Sequence, residues 1–193
     1  MNIVSSNCCS GYFYRILMNK AENPFIWSFH KYKDFKELYT KYDTIKFDNA
    51  NFTITENKTI KCEVDNTFTQ NYNHYFYNDK CNTPLVKNNC VFYKDILDYC
   101  KNKYYTRLSR MKEPPMFLIQ WLRQDGFTKE ALNEFLALEH KYKIVIFTDE
   151  MPSSLSNDKM VKIINHPDVG TFEKSNPMTF LTIYKNEILE FMR

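Results

Sequence analysis

A cysteine near the start of the chain, Cys8, is the residue best placed to act as a nucleophile. Apolar residues 2–5 predict a short strand, and the polar residues that follow predict a turn. Apolar side chains at helical spacing then predict a helix to about residue 20. Cys8 falls at the amino end of that helix, where the helix dipole and free backbone N–H groups stabilise a thiolate. The same position suits an anion such as phosphate, so both interpretations stay open.

A cysteine nucleophile needs a base, usually histidine, and a group that orients the base. The chain has four histidines. We expect His140 to cap a helix end and His30 to pack on Trp27. His74 falls in a predicted aromatic strand, where a structural role is the alternative, and His166 follows a strand and is a candidate base in a loop. Spacing alone selects no pair of thiol and imidazole.

The alternative for each cysteine is a buried, unreactive side chain, because free cysteine usually behaves as a small hydrophobe. Cys62, Cys90 and Cys100 fit apolar faces and are expected in the core, whereas Cys81 lies in a predicted loop. No C-x-x-C pair and no zinc-finger spacing occurs among the six cysteines. The sequence therefore predicts no metal site, and we expect no cofactor.

The last third of the chain predicts a parallel sheet. Apolar residues 116–121 and 143–148 read as buried strands, and between them Thr128 is placed to cap a helix that runs to about residue 140. Strand, helix and strand with short links form a βαβ unit, whose crossover is almost always right-handed. Further strands are predicted at the positions 160–164, 178–184 and 188–192.

The first two thirds of the chain add helices and a hairpin. Helical periodicity is clear around residues 34–42 and 93–111, and alternation predicts a hairpin with an Asn at its turn. Another strand is predicted over residues 72–77. The predicted fold is therefore α/β: a three-layer-like mixed sheet with a parallel βαβ core, helices on both faces and a β-hairpin insertion. We expect residues 1–193 to form one such domain.

Several polar residues should meet at one edge of this sheet, since ligands of open α/β sheets bind beyond the carboxyl ends of parallel strands. If the first strand joins the sheet, the edge carries Ser6, Asn7 and Cys8, and then Asp125 and Asp149. We predict Ser6, Asn7 and Asp125 as ligand-binding residues. Asp149 is the predicted carboxylate that orients the catalytic base.

Two arginines, Arg107 and Arg110, lie three residues apart in the predicted long helix. On one helical face they could grip a phosphate or carboxylate in forked geometry. The alternative is a solvated basic face paired with acidic side chains. If both guanidinium groups point at the Cys8 edge, an anionic ligand such as a phosphate or a nucleotide sugar becomes the favoured partner.

Composition excludes several classes of protein. A net charge of +3 is too small for a dedicated nucleic-acid binder, and no segment approaches the roughly 20 apolar residues of a membrane span. The first residues lack the basic start and apolar run of a signal peptide. We therefore expect a cytoplasmic protein with reduced cysteines, and a small-molecule, glycan or peptide partner.

Several segments together resemble a family of uncharacterised proteins. That family is described either as a domain of unknown function linked to exopolysaccharide biosynthesis or, in a related set, as papain-like cysteine peptidases. The resemblance is spread over most of the chain. The residues that carry it are residues 3–8, Gly11, Tyr14, Arg15, residues 23–27, Asp34, Phe35, His74, Arg107, Arg110, residues 125–128, Phe135, Leu138 and residues 143–148. The chain departs from the family at Cys9, where the family usually carries a larger residue.

The resemblance implies that Cys8 is the nucleophile and His74 its base. Three functions are thus open: a cysteine-dependent hydrolase or acyl transferase, a glycan-related enzyme or binding protein for an anionic or sugar ligand, and a non-catalytic interaction module. In the first, backbone N–H groups at the helix start would hold the oxyanion. In the second, the edge residues and arginines would hold the ligand. In the third, cysteines and histidines are structural.

Overall fold

The computed structural model describes residues 2–17, 23–56, 59–72, 91–153, 158–167, 169 and 177–193, without the side chains of residues 91–96. In chain order the elements are β1 (Asn2–Ser5), α1 (Cys9–Ile16), β2 (Ser28–Phe29), α2 (Tyr32–Lys41), β3 (Ala50–Ile54), β4 (Ile60–Val64), β5 (Phe68–Tyr72), α3 (Val91–Leu108), β6 (Pro115–Gln120), α4 (Lys129–Leu136), β7 (Ile144–Thr148), β8 (Val161–Asn165), α5 (Pro177–Ile183) and α6 (Lys185–Met192). A short 3₁₀ helix, Arg123–Asp125, follows β6.

Four strands form a parallel sheet in the order β1-β6-β7-β8. The first strand lies beside β6 with Asn2 opposite Pro115 and Ser5 opposite Leu118. Every residue of β6 and β7 is buried, which explains their continuous apolar sequences, because a parallel sheet is covered on both faces. The predicted α/β class, the βαβ unit and the membership of the first strand in the parallel layer are confirmed.

Helices cover both faces of this sheet. On one face α2 and α4 pack around Phe117, whose ring centroid lies 5.8 Å from that of Phe35 and 4.8 Å from that of Tyr39. On the other face Phe147 of β7 contacts Phe180 of α5, with centroids 4.7 Å apart. Helix α1 lies on this second face, together with α5.

A second, antiparallel sheet has the strand order β2-β5-β4-β3. The predicted hairpin is its β3–β4 pair, in which Ile54 lies opposite Ile60; the predicted turn residue Asn57 lies outside the described residues. Strand β5 begins at Phe68, before the predicted strand, and Tyr72 is its last described residue. The rest of that predicted strand, including His74, also falls outside the described residues.

Two predicted strands near the carboxyl end, 178–184 and 188–192, are wrong, because residues 178–183 lie in helix α5 and residues 188–192 in helix α6. Burial follows a helical period: Phe180 and Ile188 are buried, whereas Ile183 between them is 61% exposed. A short apolar run does not distinguish a strand from one side of a helix. Elsewhere the predicted cap is confirmed, since the Thr128 side chain accepts a hydrogen bond from Ala131 N at 3.2 Å.

Candidate functional site at the carboxyl edge of the parallel sheet

Cys8 lies where β1 leaves the parallel sheet and α1 begins. It is the N-cap residue of α1, and β1 ends at Ser5, opposite Leu118 of β6. We call residues 5–10 the thiol turn. Because β1 and β6 run parallel, this turn lies at the carboxyl edge of the sheet, as predicted.

Two side chains of the thiol turn hold the first turn of α1. Asn7 Oδ1 accepts a hydrogen bond from Cys9 N at 3.1 Å, and Ser5 Oγ accepts one from Ser10 N at 3.1 Å. A further bond of 2.8 Å joins the hydroxyl groups of Ser5 and Ser10. Such bonds satisfy amides that a helix start otherwise leaves without partners. These two N–H groups are therefore already occupied and are not open to an oxyanion.

Gln120, the last residue of β6, joins the thiol turn to the rest of the edge. Its Oε1 accepts from Asn7 Nδ2 at 3.1 Å and from Cys9 Sγ at 3.5 Å, and its Nε2 donates to the carbonyl of Val169 at 3.1 Å. Gln120 is fully buried. From the sequence, Gln120 was assigned only to an apolar strand. Its amide group was the signal that could have identified it, because a buried amide must find hydrogen-bond partners.

The two neighbouring thiols differ in environment. Cys9 is 0% exposed and Cys8 is 5% exposed. Burial raises the pKa of Cys9 well above its ordinary value, and negative charge on Cys8 raises it further. Cys9 is therefore a structural thiol. Cys8 is also buried and exposes only 5% of its surface. Cys62 and Cys100 are core residues as predicted, and burial raises the pKa of each to about 12; Cys81 and Cys90 lie outside the described residues.

The backbone of the thiol turn also contacts the antiparallel sheet through His30. Ser6 O accepts from His30 N at 2.9 Å, and Ser6 Oγ donates to the Gln120 carbonyl at 3.4 Å. The His30 ring packs near Phe35 and Phe68. The expected packing of His30 on Trp27 stays a prediction. Burial lowers the pKa of His30 to about 3, so the ring is neutral at physiological pH.

Two further histidines are among the residues that the structure describes, and they lie in different places. His140 lies beyond the last residue of α4 and its Nδ1 hydrogen-bonds to the Tyr39 hydroxyl at 2.8 Å. Burial lowers the pKa of His140, and the charge of Asp158 partly opposes this. His166 follows β8 at the carboxyl edge, where its backbone N–H donates to Thr148 O. Three strand spacings of about 4.8 Å separate β8 from β1, so His166 is at the far side of the edge from Cys8.

The predicted acidic residues lie at the carboxyl edge but have their own partners. Asp149 and Glu150 both form ion pairs with Arg123, whose side chain is 49% exposed. Asp125 is half-buried, and burial raises its pKa while the charge of Lys31 partly opposes the change. Asp149 is thus engaged by an arginine, and this pairing gives no support to its predicted part in orienting a histidine.

The two predicted anion-binding arginines do not share a helical face. Helix α3 ends at Leu108, so Arg110 lies beyond it. Arg107 is 7% exposed, whereas Arg110 is exposed. Burial raises the pKa of Tyr72, and the positive charge of Arg107 partly opposes this change. Arg107 therefore lies close to the antiparallel sheet, and the forked pair of guanidinium groups stays a prediction.

Several residues that carry the family resemblance support the thiol turn structurally. Side chains supply hydrogen-bond partners for the backbone of Ile3 in β1. Ile3 N donates to the Tyr14 hydroxyl at 3.1 Å, and Asn23 Nδ2 donates to Ile3 O at 2.8 Å. The Trp27 ring lies so close to Gly11 that a Cβ there would be 2.6 Å from an indole carbon. Trp27 itself adopts a positive φ of 65°, a conformation that costs energy for a bulky residue.

Within the part of the chain that the structure describes, no cluster of three or more His, Cys, Asp or Glu side chains could hold a metal ion. Among the same residues, no helix combines the length and apolar character needed to cross a bilayer. Comparison with known protein families found no family model that matches the chain, and comparison with curated proteins found no significant match.

Proposed function

We propose that this protein is a cysteine-dependent hydrolase or acyl transferase in which Cys8 is the nucleophile. The single observation that carries the proposal is the position of Cys8 at the N-cap of α1, directly after a strand of the parallel sheet. A helix start favours a thiolate through its dipole. Cys9 is fully buried with a raised pKa, so the reactive member of the pair is Cys8.

In the proposed reaction the Cys8 thiolate attacks a carbonyl carbon, and the π electrons of the carbonyl move to its oxygen. Collapse of this intermediate forms a thioester and expels an amine or alcohol, which takes up the proton that the base received from the thiol. Water or another acyl acceptor then attacks the thioester and releases Cys8. We assign the base to His74 on the family resemblance.

The oxyanion needs donors other than the amides of Cys9 and Ser10, because Asn7 and Ser5 already accept hydrogen bonds from them. We assign this part to the Asn7 side chain. Its Nδ2 group carries two N–H bonds, and one of them is directed at Gln120 Oε1. Gln120 therefore fixes the orientation of the donor, and such fixed donors are the kind that stabilise developing negative charge.

The test is acylation by p-nitrophenyl acetate, followed by intact-mass analysis and peptide mapping. The proposal predicts one acetyl group on Cys8, no acetyl group in Cys8→Ala, and normal acetylation in the matched Cys9→Ala variant. His74→Ala should slow acetylation by about 100-fold, the usual contribution of a general base. Acetylation that Cys8→Ala leaves unchanged, or a wild-type protein that releases p-nitrophenol no faster than Cys8→Ala, would contradict the proposal and favour the non-catalytic module.

A further inference from the structure

A cavity of about 540 Å³ lies at the opposite, amino edge of the parallel sheet. Its lining includes Asn2 at the start of β1, Met116 near the start of β6, Lys143 just before β7 and Met160 just before β8. Met192 at the end of α6 completes it. The volume falls within the range of about 300–1,000 Å³ that is usual for small-molecule sites. We call it the amino-edge cavity.

The walls of the amino-edge cavity are held in place by contacts outside it. Tyr142 hydrogen-bonds to Asp43 and packs edge-on against Tyr42, with centroids 5.6 Å apart. Asn2 Nδ2 donates to the Tyr42 hydroxyl at 3.1 Å, and Lys143 Nζ donates to the Phe191 carbonyl at 2.8 Å. The cavity is therefore preformed, as small-molecule sites usually are.

The lining combines soft apolar surface with charges of both signs, since Glu113 lies in it together with two lysines. Three methionines, Met116, Met160 and Met192, supply flexible thioether side chains that adapt to apolar ligands. Lys141 and Lys143 stand on either side of Tyr142 in the same wall. Lys143 is directed to a backbone carbonyl, so the exposed Lys141 is the cation placed to meet a ligand.

We propose that the amino-edge cavity binds a small amphipathic carboxylate, with its apolar body against the methionines and its carboxylate at Lys141. This inference does not depend on the proposed chemistry of Cys8, which lies at the other edge of the sheet. The site is a regulatory or substrate-holding site for an organic acid with an aliphatic or aromatic body.

The experiment is calorimetric titration of the full chain with octanoate, 3-phenylpropanoate and octanamide, which has the length of octanoate without its charge. We expect octanoate to bind about tenfold more tightly than octanamide, since a hydrogen bond to a charged group is worth about that factor. The two acids separate an aliphatic from an aromatic ligand. If neither acid binds, or if octanamide binds as tightly as octanoate, the proposal fails.

Two pairs of variants locate the site. Met160→Glu places a negative charge in the lining and should abolish binding, whereas Met151→Glu, at a methionine that is 54% exposed outside the cavity, should leave binding unchanged. Lys141→Gln should remove the preference for octanoate over octanamide, and Lys33→Gln, on the exposed side of α2, should keep it. Circular dichroism verifies that each variant is folded. Equal binding by Met160→Glu and Met151→Glu would overturn the proposal.

Discussion

The side-chain amides of Asn7 and Gln120 are joined by a hydrogen bond of 3.1 Å, which links the turn after β1 to the end of β6. These residues are separated by more than a hundred positions in the chain, and both are buried. Asn7 Oδ1 also caps α1, so the bond sets the position of the Cys8 N-cap relative to the sheet. The candidate nucleophile is therefore held by a polar network.

The first prediction is that Gln120→Leu destabilises the protein by about 3 kcal/mol. The substitution leaves Asn7 Nδ2, Cys9 Sγ and the Val169 carbonyl without the partner each has in Gln120, and a buried polar group left unsatisfied costs about 1–3 kcal/mol. Urea unfolding gives the free energy of unfolding. Gln124→Leu, at an exposed residue of the 3₁₀ helix, is the matched control. Equal stability of the two variants would show that the network contributes nothing.

The second prediction concerns the approach of Trp27 to Gly11. In Gly11→Ala the new Cβ would meet indole carbons at 2.6–2.8 Å, a distance that requires the indole or the helix to move. Overpacking of this kind costs about 1–3 kcal/mol. The Trp27→Ala variant lacks the indole ring. In that variant we expect Gly11→Ala to cost much less free energy of unfolding. A double-mutant cycle of unfolding free energies measures this coupling, and additive effects would contradict the contact.

The third prediction is that acid destabilises the protein through His30. Its pKa is about 3 in the folded state against an ordinary value of 6.5, so the unfolded chain takes up the proton more readily. Stability from the neutral ring is complete above pH 6.5 and falls as the pH approaches 3, by roughly 1.4 kcal/mol for each pH unit. His30 Nε2 lies 3.2 Å from Ser28 Oγ, and the Ser28 hydroxyl donates to Phe25 O.

Urea unfolding of wild-type protein and His30→Gln between pH 7.5 and pH 4 measures this dependence. The variant should show a much flatter decline than wild type, and His166→Gln should keep the wild-type decline. A wild-type slope in His30→Gln would mean that the acid sensitivity arises from other groups.

The parallel part of the fold was predictable because its strands are buried on both faces. Residues of β6 and β7 are apolar without alternation, and two such runs with a capped helix between them are typical of a parallel sheet. Helices α5 and α6 were not predictable from the same rule. Their apolar runs are short, and only the wider spacing of Phe180, Tyr184 and Ile188 reveals a helical face.

The site was predictable only where it depends on local sequence. The position of Cys8 between strand and helix follows from residues 2–17 alone. The pairing of Gln120 with Asn7, the burial of Arg107 and the engagement of Asp149 by Arg123 depend on tertiary packing. A polar residue at the end of an apolar strand indicates that a partner is needed, but the local sequence does not identify that partner.

The rate of Cys8 alkylation at neutral pH tests the central claim most directly. The folded protein is treated with iodoacetamide, and fragment-ion mass spectrometry separates modification of Cys8 from modification of Cys9, with the buried Cys62 and Cys100 as internal references. We predict that Cys8 reacts about tenfold faster than a cysteine in an unstructured peptide, because a helix start favours its thiolate, while Cys9, Cys62 and Cys100 stay unmodified. A Cys8 that reacts no faster than the peptide, or as slowly as Cys9, would contradict the account.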